Sequence, residues 1–223
     1  MNIVEALLKV ALLGSSWVLY LLLVLSMFSF GVMAERLVFF VRNGRKGGDS
    51  LRAAVMTRLR ANDEAGAERL LRDSGSVEGA VVASAFAFRE GGGRAFLDAL
   101  DSELSQARKE LERGMNFLGT LGNNAPFIGL FGTVIGVIGA FHELGEASAR
   151  AGAMGGVMSA IAEALVATGV GLFVALPAVI AYNIANKRIG DIEQDTVSLG
   201  KLVSAWIDTR ERGGSVRADA AAK

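Results

Sequence analysis

The chain has 223 residues, of which 52% are hydrophobic, 28 are glycine and none is cysteine, and its mean hydropathy is +0.40. Its 23 basic residues balance 23 acidic residues, so the basic excess typical of a nucleic-acid-binding protein is absent. Without cysteine the chain forms no disulfide and no thiolate metal site, and its single histidine, His142, cannot supply a histidine cluster. The apolar, glycine-rich composition is typical of a protein with membrane helices.

The N-terminal region predicts a helix on the membrane followed by a helix through it. Residues 1–13 place their apolar side chains on one helical face, which favours an amphipathic helix at the membrane interface. Residues 17–38 form the first predicted transmembrane helix, with Trp17 and Tyr20 as interfacial aromatics. A signal peptide is the alternative, but its positive charge would precede the apolar run, whereas here most of that charge follows. We therefore interpret the run as a membrane anchor.

Basic residues predict the orientation of this first helix. Arg36, Arg42, Arg45 and Lys46 lie at or beyond its C-terminal end, and only Lys9 precedes it. Cytoplasmic segments next to membrane helices carry an excess of lysine and arginine. We therefore expect the N-terminus in the periplasm and the following segment in the cytoplasm.

The next segment, residues 47–115, predicts a cytoplasmic helical domain. Short breaks are expected at 74–76 and 91–93, where serine and glycine interrupt the helical pattern. Apolar residues then recur every three or four positions from Leu97 to Leu118. This spacing predicts one long helix that continues from the cytoplasm into the membrane.

Two further transmembrane helices are predicted at 119–142 and 157–184, joined by a short periplasmic loop at 143–154. A cytoplasmic helix at 185–212 and a disordered tail at 213–223 complete the chain. The architecture is therefore an all-α membrane protein with three transmembrane helices and long cytoplasmic helical extensions.

Small residues recur at helical spacing on the second and third transmembrane helices. They include Gly129, Gly132 and Gly136 on the second helix and Ala164 and Gly171 on the third. In lipid, such small faces allow helix backbones to approach and pack by direct contact.

Each of these two helices also contains a proline. Pro126 and Pro177 predict kinks, because proline lacks the amide hydrogen that the helix would use.

Three polar residues stand out within these apolar segments. Glu163 is a functional candidate, because a charge at the centre of a membrane helix costs roughly 2.5–3.5 kcal/mol. Its alternative role is a position near the helix end that reaches water. Thr133 and Thr168 are hydroxyls near the midpoints, and the alternative for each is a bond to a carbonyl of its own helix. Glu163 and Thr168 are about 140° apart on an ideal helix, so they cannot face the same way.

The segments APFIGLFGTVIGVIGAF and IAEALVATGVGLFVALPAVIAYN resemble the second and third membrane helices of the ExbB/TolQ proton-channel family, to which the flagellar stator subunit MotA is distantly related. The resemblance implies that Thr133 and Thr168 fall on the family's pore-lining threonines and Glu163 on its third-helix glutamate. It also implies a homopentamer in the bacterial inner membrane around a dimer of single-span ExbD/TolR-like partners. In such partners a membrane aspartate takes and releases the proton, and Glu163 is the competing proton carrier within the chain.

The sequence contains no nucleotide-binding glycine loop, metal-ligand cluster or nucleophile with a base, so an enzyme hypothesis has no site. We expect a channel subunit without cofactor or metal, in a motor that uses proton motive force to act on TonB-like, TolA-like or motility proteins. The alternative is a passive membrane scaffold that assembles a complex without conducting ions. A scaffold explains the small residues equally well but leaves Thr133, Thr168 and Glu163 without a role.

Overall fold

The structure is a computed structural model that describes residues 14–43, 48–147 and 153–221, with side chains for 14–42, 48–145 and 155–210. The predicted interfacial helix at 1–13 lies outside these residues, as do 44–47 and the centre of the predicted periplasmic loop. Within the described ranges the chain is helical and has no β-strand. The helices are α1 (Ser16–Asn43), α2 (Asp49–Arg60), α3 (Glu64–Asp73), α4 (Val77–Phe86), α5 (Gly92–Leu111), α6 (Met115–Ala147) and α7 (Ala153–Ala221), with a 3-10 turn at Arg89–Gly91.

The chain divides into two compact units. The first, which we call the membrane unit, comprises residues up to 35 together with 114–184. The second, the bundle unit, comprises 36–113 and the residues from 185 onward. Helices α1 and α7 contribute residues to both units.

The membrane unit contains the apolar parts of three helices that are long enough to cross a bilayer, α1, α6 and α7. Large apolar side chains on all three are exposed, including Phe28 at 65%, Phe127 at 67% and Phe173 at 69%. In water such surfaces would be unfavourable, whereas lipid or neighbouring membrane helices can cover them without cost. A helix also satisfies its backbone hydrogen bonds internally, which a membrane segment requires.

Helices α6 and α7 pack through facing small residues. A Cβ added at Gly129 would lie 2.8 Å from the carbonyl oxygen of Ala167, and one added at Gly136 would lie 2.5 Å from the Cβ of Ala164. A Cβ at Gly132 would lie 2.8 Å from the Cβ of Ala167. Later residues of α6 therefore face earlier residues of α7, and the two backbones are in antiparallel contact.

The first helix packs on this pair. Val18 and Leu22 of α1 are fully buried, and a Cβ at Gly132 would lie 3.2 Å from Cγ1 of Val18. The buried cluster that they join also contains Leu121, Ala125, Ile135, Val174 and Ala175. Pro126 and Pro177 lie inside α6 and α7, and neither ends its helix.

The bundle unit has its own hydrophobic core. Its largest fully buried side chains include Phe86, Phe96, Leu59 and Leu71, and α7 contributes Val203. A core of this kind stabilises the unit by removing apolar surface from water.

Two side chains cap helices at the starts of α3 and α4. Asp63 accepts a hydrogen bond from the backbone N–H of Gly66 at 2.9 Å, and Ser76 accepts one from Gly79 at 3.1 Å. Each side chain satisfies one of the amides that a helix N-terminus leaves without an internal partner.

The continuous helix expected from Leu97 to Leu118 is interrupted in the structure. Helix α5 ends at Leu111, and Gly114 adopts φ +75°, a left-handed conformation that glycine takes at low cost. The Arg36 side chain donates from Nη1 to the carbonyl oxygens of Glu110 at 3.0 Å and Leu111 at 3.4 Å. The last carbonyls of α5 therefore have a partner outside their own helix, which helical periodicity cannot indicate.

The C-terminal segment also differs from the expectation. The sequence predicts a disordered tail from 213, whereas α7 is helical to Ala221 in the structure. The side chains beyond Arg210 lie outside the described set.

Candidate functional site

Glu163 lies on α7 and is half-buried. Its Oε1 accepts a hydrogen bond from the hydroxyl of Ser16 at 2.5 Å. Ser16 is the first residue of α1, so the carboxylate is level with the N-terminal end of that helix. A helix N-terminus carries a partial positive charge that favours a nearby carboxylate. Glu163 is therefore tied to the end of α1, where the first membrane helix begins.

Thr168 lies deeper along α7, at a close contact with α6. A Cβ added at Gly129 would lie 3.0 Å from the Cα of Thr168. Among the described side chains, the Thr168 hydroxyl is buried and has no hydrogen-bond partner. An unsatisfied buried hydroxyl costs about 1–3 kcal/mol, so this group is a ready donor or acceptor for a polar group that comes within reach.

Thr133 differs from Thr168 because its hydroxyl is already used within its own helix. Oγ1 donates to the carbonyl oxygen of Leu130 at 2.6 Å. This is the kind of local bond that the sequence left open as the alternative role. The Thr133 oxygen can still accept a hydrogen bond from another group.

The contacts between α6 and α7 place these residues at neighbouring depths. Gly132 faces Ala167, so Thr133 and Thr168, each one position further along its helix, lie within about one helical turn of each other along the helix axes. Glu163 precedes Thr168 by about 7.5 Å along α7, toward the start of that helix. We call these three residues together with Ser16 the polar site.

Sequence reasoning missed Ser16, which lies between the predicted interfacial helix at 1–13 and the first predicted transmembrane helix at 17–38. The bond to Glu163 joins residues 147 positions apart, and no periodic pattern indicates such a contact. Ser29 on α1 is a second hydroxyl that was missed, and it is buried without a partner among the described side chains. The residues that the structure describes contain no group of three or more potential metal ligands.

A groove in the bundle unit was also not predicted. It has a volume of about 710 Å³ and is lined by residues of α5 and α7, including Asp101, Arg108, Glu193 and Lys201. Nε of Arg108 lies 3.3 Å from Oε1 of Glu193. A hydrogen bond to Glu112 and the charge of Glu193 hold the pKa of Arg108 above its ordinary value. The groove is therefore lined by charges of both signs.

Comparison with known proteins identifies the family of the chain. Residues 74–197, more than half of the chain, match the family described as the MotA/TolQ/ExbB proton channel family. The chain belongs to this family. The matched range contains Thr133, Glu163 and Thr168, and the resemblance drawn from the two quoted segments is confirmed. Ser16 lies outside the matched range.

Individual relatives agree with this assignment. The Tol-Pal system protein TolQ of Haemophilus influenzae is 43% identical over 97 residues, which cover 44% of this chain and 42% of the relative. TolQ of Pseudomonas aeruginosa is 45% identical over 85 residues, covering 38% of this chain and 36% of the relative. The biopolymer transport protein ExbB of Neisseria gonorrhoeae is 43% identical over 94 residues, covering 42% of each.

The chain spans about two fifths of the length of the relatives it matches. Its three apolar helices and its family together make it a multi-pass inner-membrane protein.

Proposed function

We propose that this chain is the proton-channel subunit of an ExbB/TolQ-like motor that converts proton motive force into mechanical work on envelope-spanning proteins. The observation that carries the proposal is the polar site, in which Glu163 bonds to Ser16 and Thr168 lies at the small-residue contact between α6 and α7. The work is transport, envelope maintenance or gliding motility, and it needs neither cofactor nor metal. The chain is not an enzyme in this mechanism.

The chemistry of the polar site supports a division of labour between this chain and a partner. A threonine hydroxyl donates and accepts hydrogen bonds but does not ionise near neutral pH. The Thr168 hydroxyl, buried and unpaired among the described residues, therefore suits a group that solvates a proton carrier. A membrane potential supplies about 2.3 kcal/mol per elementary charge per 100 mV, which a titrating partner moving past this hydroxyl converts into motion.

The partner in this proposal is a single-span ExbD/TolR-like subunit that carries a membrane aspartate. Five copies of the chain surround two copies of the partner in the bacterial inner membrane, with the N-terminus periplasmic and the C-terminus cytoplasmic. Relatives named as a Tol-Pal system protein and a biopolymer transport protein support such an assembly, which acts on a TonB-like, TolA-like or motility effector. The exposed apolar faces of α1, α6 and α7 supply surfaces for lipid and neighbouring subunits.

Reconstitution tests the proposal. The chain is purified with and without an ExbD/TolR-like partner, its oligomer mass is measured, and proton flux into liposomes is followed under an imposed potential. We expect a homopentamer that conducts only with the acid-bearing partner. Sustained flux from the chain alone that depends on Glu163 would overturn the partner mechanism. An assembled complex without flux would identify the chain as a passive scaffold. A scaffold function would also explain the close contacts between α6 and α7.

A further inference from the structure

The hydrogen bond that the Ser16 hydroxyl donates to Glu163 is short. Its oxygen–oxygen distance of 2.5 Å is within the range of a hydroxyl that donates to a carboxylate. The bond connects α1 to α7 within the membrane unit. Because Ser16 lies outside the range matched by the family, the family match assigns no role to its hydroxyl.

Ser16 itself is exposed, but the helix that carries it has a buried position close by. Val18, two positions along α1, is fully buried, and a Cβ added at Gly132 on α6 would lie 3.2 Å from its Cγ1. Glu163, in contrast, has a long side chain with considerable rotamer freedom when it is unbonded. A donor close to the buried Val18 therefore restricts a side chain that would otherwise take several orientations.

We propose that Ser16 is a positioning residue for Glu163, which holds the carboxylate at the N-terminal end of α1. There the carboxylate lies about 140° around α7 from Thr168 and about 7.5 Å from it along the axis. Glu163 then acts at the outer end of the proton route and does not compete with the partner's aspartate at the depth of the threonines. This role rests on the proposed channel function, whereas the contact itself does not.

Cross-linking in the full-length chain tests the contact, since the chain has no cysteine of its own. Ser16→Cys combined with Glu163→Cys is treated in membranes with a short bifunctional thiol reagent, and the bundle unit is then cut with trypsin. We expect the two fragments to remain joined within one protomer. The matched control is Ser26→Cys with Glu163→Cys, because Ser26 lies about 15 Å further along α1. No product from the first pair, or a product that joins two protomers, would overturn the proposal.

Chemical modification tests the positioning. A hydrophobic carbodiimide reacts with accessible membrane carboxyls, and mass spectrometry reports its addition to Glu163. We expect Ser16→Ala to speed this reaction several-fold and Ser16→Thr to restore the slow rate, because threonine keeps the hydroxyl. The control is Ser26→Ala, since the Ser26 hydroxyl donates to the Leu23 carbonyl of its own helix at 2.7 Å. An unchanged rate in Ser16→Ala would contradict the positioning role.

Proton flux in the complex with the acid-bearing partner tests whether the positioning of Glu163 by Ser16 matters for conduction. We expect Ser16→Ala to lower the flux about tenfold, the effect of losing one hydrogen bond to a charged group, and Ser16→Thr to restore it. In a Glu163→Gln background, Ser16→Ala should have no further effect, because both changes remove one interaction. An equal loss in that background would overturn the proposal. Absence of flux from the unmodified complex would instead refute the channel function, and the cross-linking and carbodiimide results would still decide the role of Ser16.

Discussion

Replacing the two membrane threonines should have different effects on stability, because their hydroxyls differ in hydrogen bonding. Within the part of the chain that the structure describes, the Thr168 hydroxyl is buried without a partner, whereas the Thr133 hydroxyl donates to Leu130. Valine has nearly the shape of threonine but lacks the hydroxyl. Replacing Thr168 therefore removes an unsatisfied polar group, and replacing Thr133 removes a satisfied one.

We expect Thr168→Val to leave the stability of the chain in detergent unchanged or to raise it by up to about 1 kcal/mol. Thr133→Val should lower stability by about 0.5–1.5 kcal/mol, the contribution of one hydrogen bond. Thermal unfolding measures both changes, and proton flux in the reconstituted complex should fall in Thr168→Val. A larger loss of stability in Thr168→Val than in Thr133→Val would show that the Thr168 hydroxyl has a structural partner.

Two glycines offer a matched test of the contact between α6 and α7. A Cβ at Gly136 would lie 2.5 Å from the Cβ of Ala164, whereas a Cβ at Gly169 would meet no atom within 4 Å. Gly136→Ala should force the helices apart and cost about 1–3 kcal/mol. Gly169→Ala should be neutral or stabilising by up to about 1 kcal/mol, since alanine favours a helix. The comparison is made by thermal unfolding in detergent, and equal effects of the two changes would argue against the contact.

Among the helices of the bundle unit, α3 and α4 begin with caps of different charge. The backbone N–H of Gly66 and then the side chain of Arg58 hold the pKa of Asp63 below its ordinary value. A group with a lowered folded-state pKa stabilises the fold fully above its unfolded pKa, and this stabilisation is lost as the pH falls through the folded-state value. Ser76, the cap of α4, carries no charge.

Asp63→Asn keeps a capping oxygen without a titrating group, so we expect it to be less stable than the natural chain at neutral pH. The difference in the free energy of unfolding between the variant and the natural chain should disappear as the pH falls through the lowered pKa of Asp63. Ser76→Ala should instead cost about 0.5–2 kcal/mol at every pH. Denaturant unfolding across a pH series measures both differences. If the loss of stability in Asp63→Asn became larger in acid, the expected pH dependence would be wrong.

Helix α5 shows how a helix end depends on residues outside the helix. Arg36 is 4% exposed and donates to the last carbonyls of α5. A cation at a helix C-terminus is favourable because it faces the negative end of the helix dipole. Gly114 then allows the left-handed conformation that separates α5 from α6. The interruption between α5 and α6 therefore depends on Arg36 of α1 as well as on Gly114.

For the molecule as a whole, the arrangement of basic residues predicts the orientation in the membrane. Cysteines introduced into this cysteine-free chain can report it, and the structure indicates where to place them. Ser102 is exposed on α5, whereas Ser76 is buried and would react poorly. We expect Ser148→Cys, in the predicted periplasmic loop, to react with an impermeant reagent in intact cells and Ser102→Cys to react only after permeabilisation. The opposite labelling pattern would show that the chain has the reverse orientation in the membrane.

Much of this protein can be predicted from local sequence patterns. Three long apolar segments require helices, since a membrane leaves no other way to satisfy their backbone groups. Small residues at spacings of three and four identify a face for close packing, as at Gly129, Gly132 and Gly136. Glu163, Thr133 and Thr168 stand out because polar groups are costly in such segments. Length, periodicity and polarity are properties of neighbouring residues, so they can be predicted without a fold.

The pairing of residues distant in the chain is known only from the tertiary structure. It shows that Ser16 donates to Glu163, that the Thr168 hydroxyl lacks a partner in the described chain, and that Arg36 caps α5. A helical pattern indicates which face of a helix is polar or small, but it contains no information about which residue of another helix lies opposite. That choice depends on the packing of several helices at once, as the bond between Ser16 and Glu163 shows.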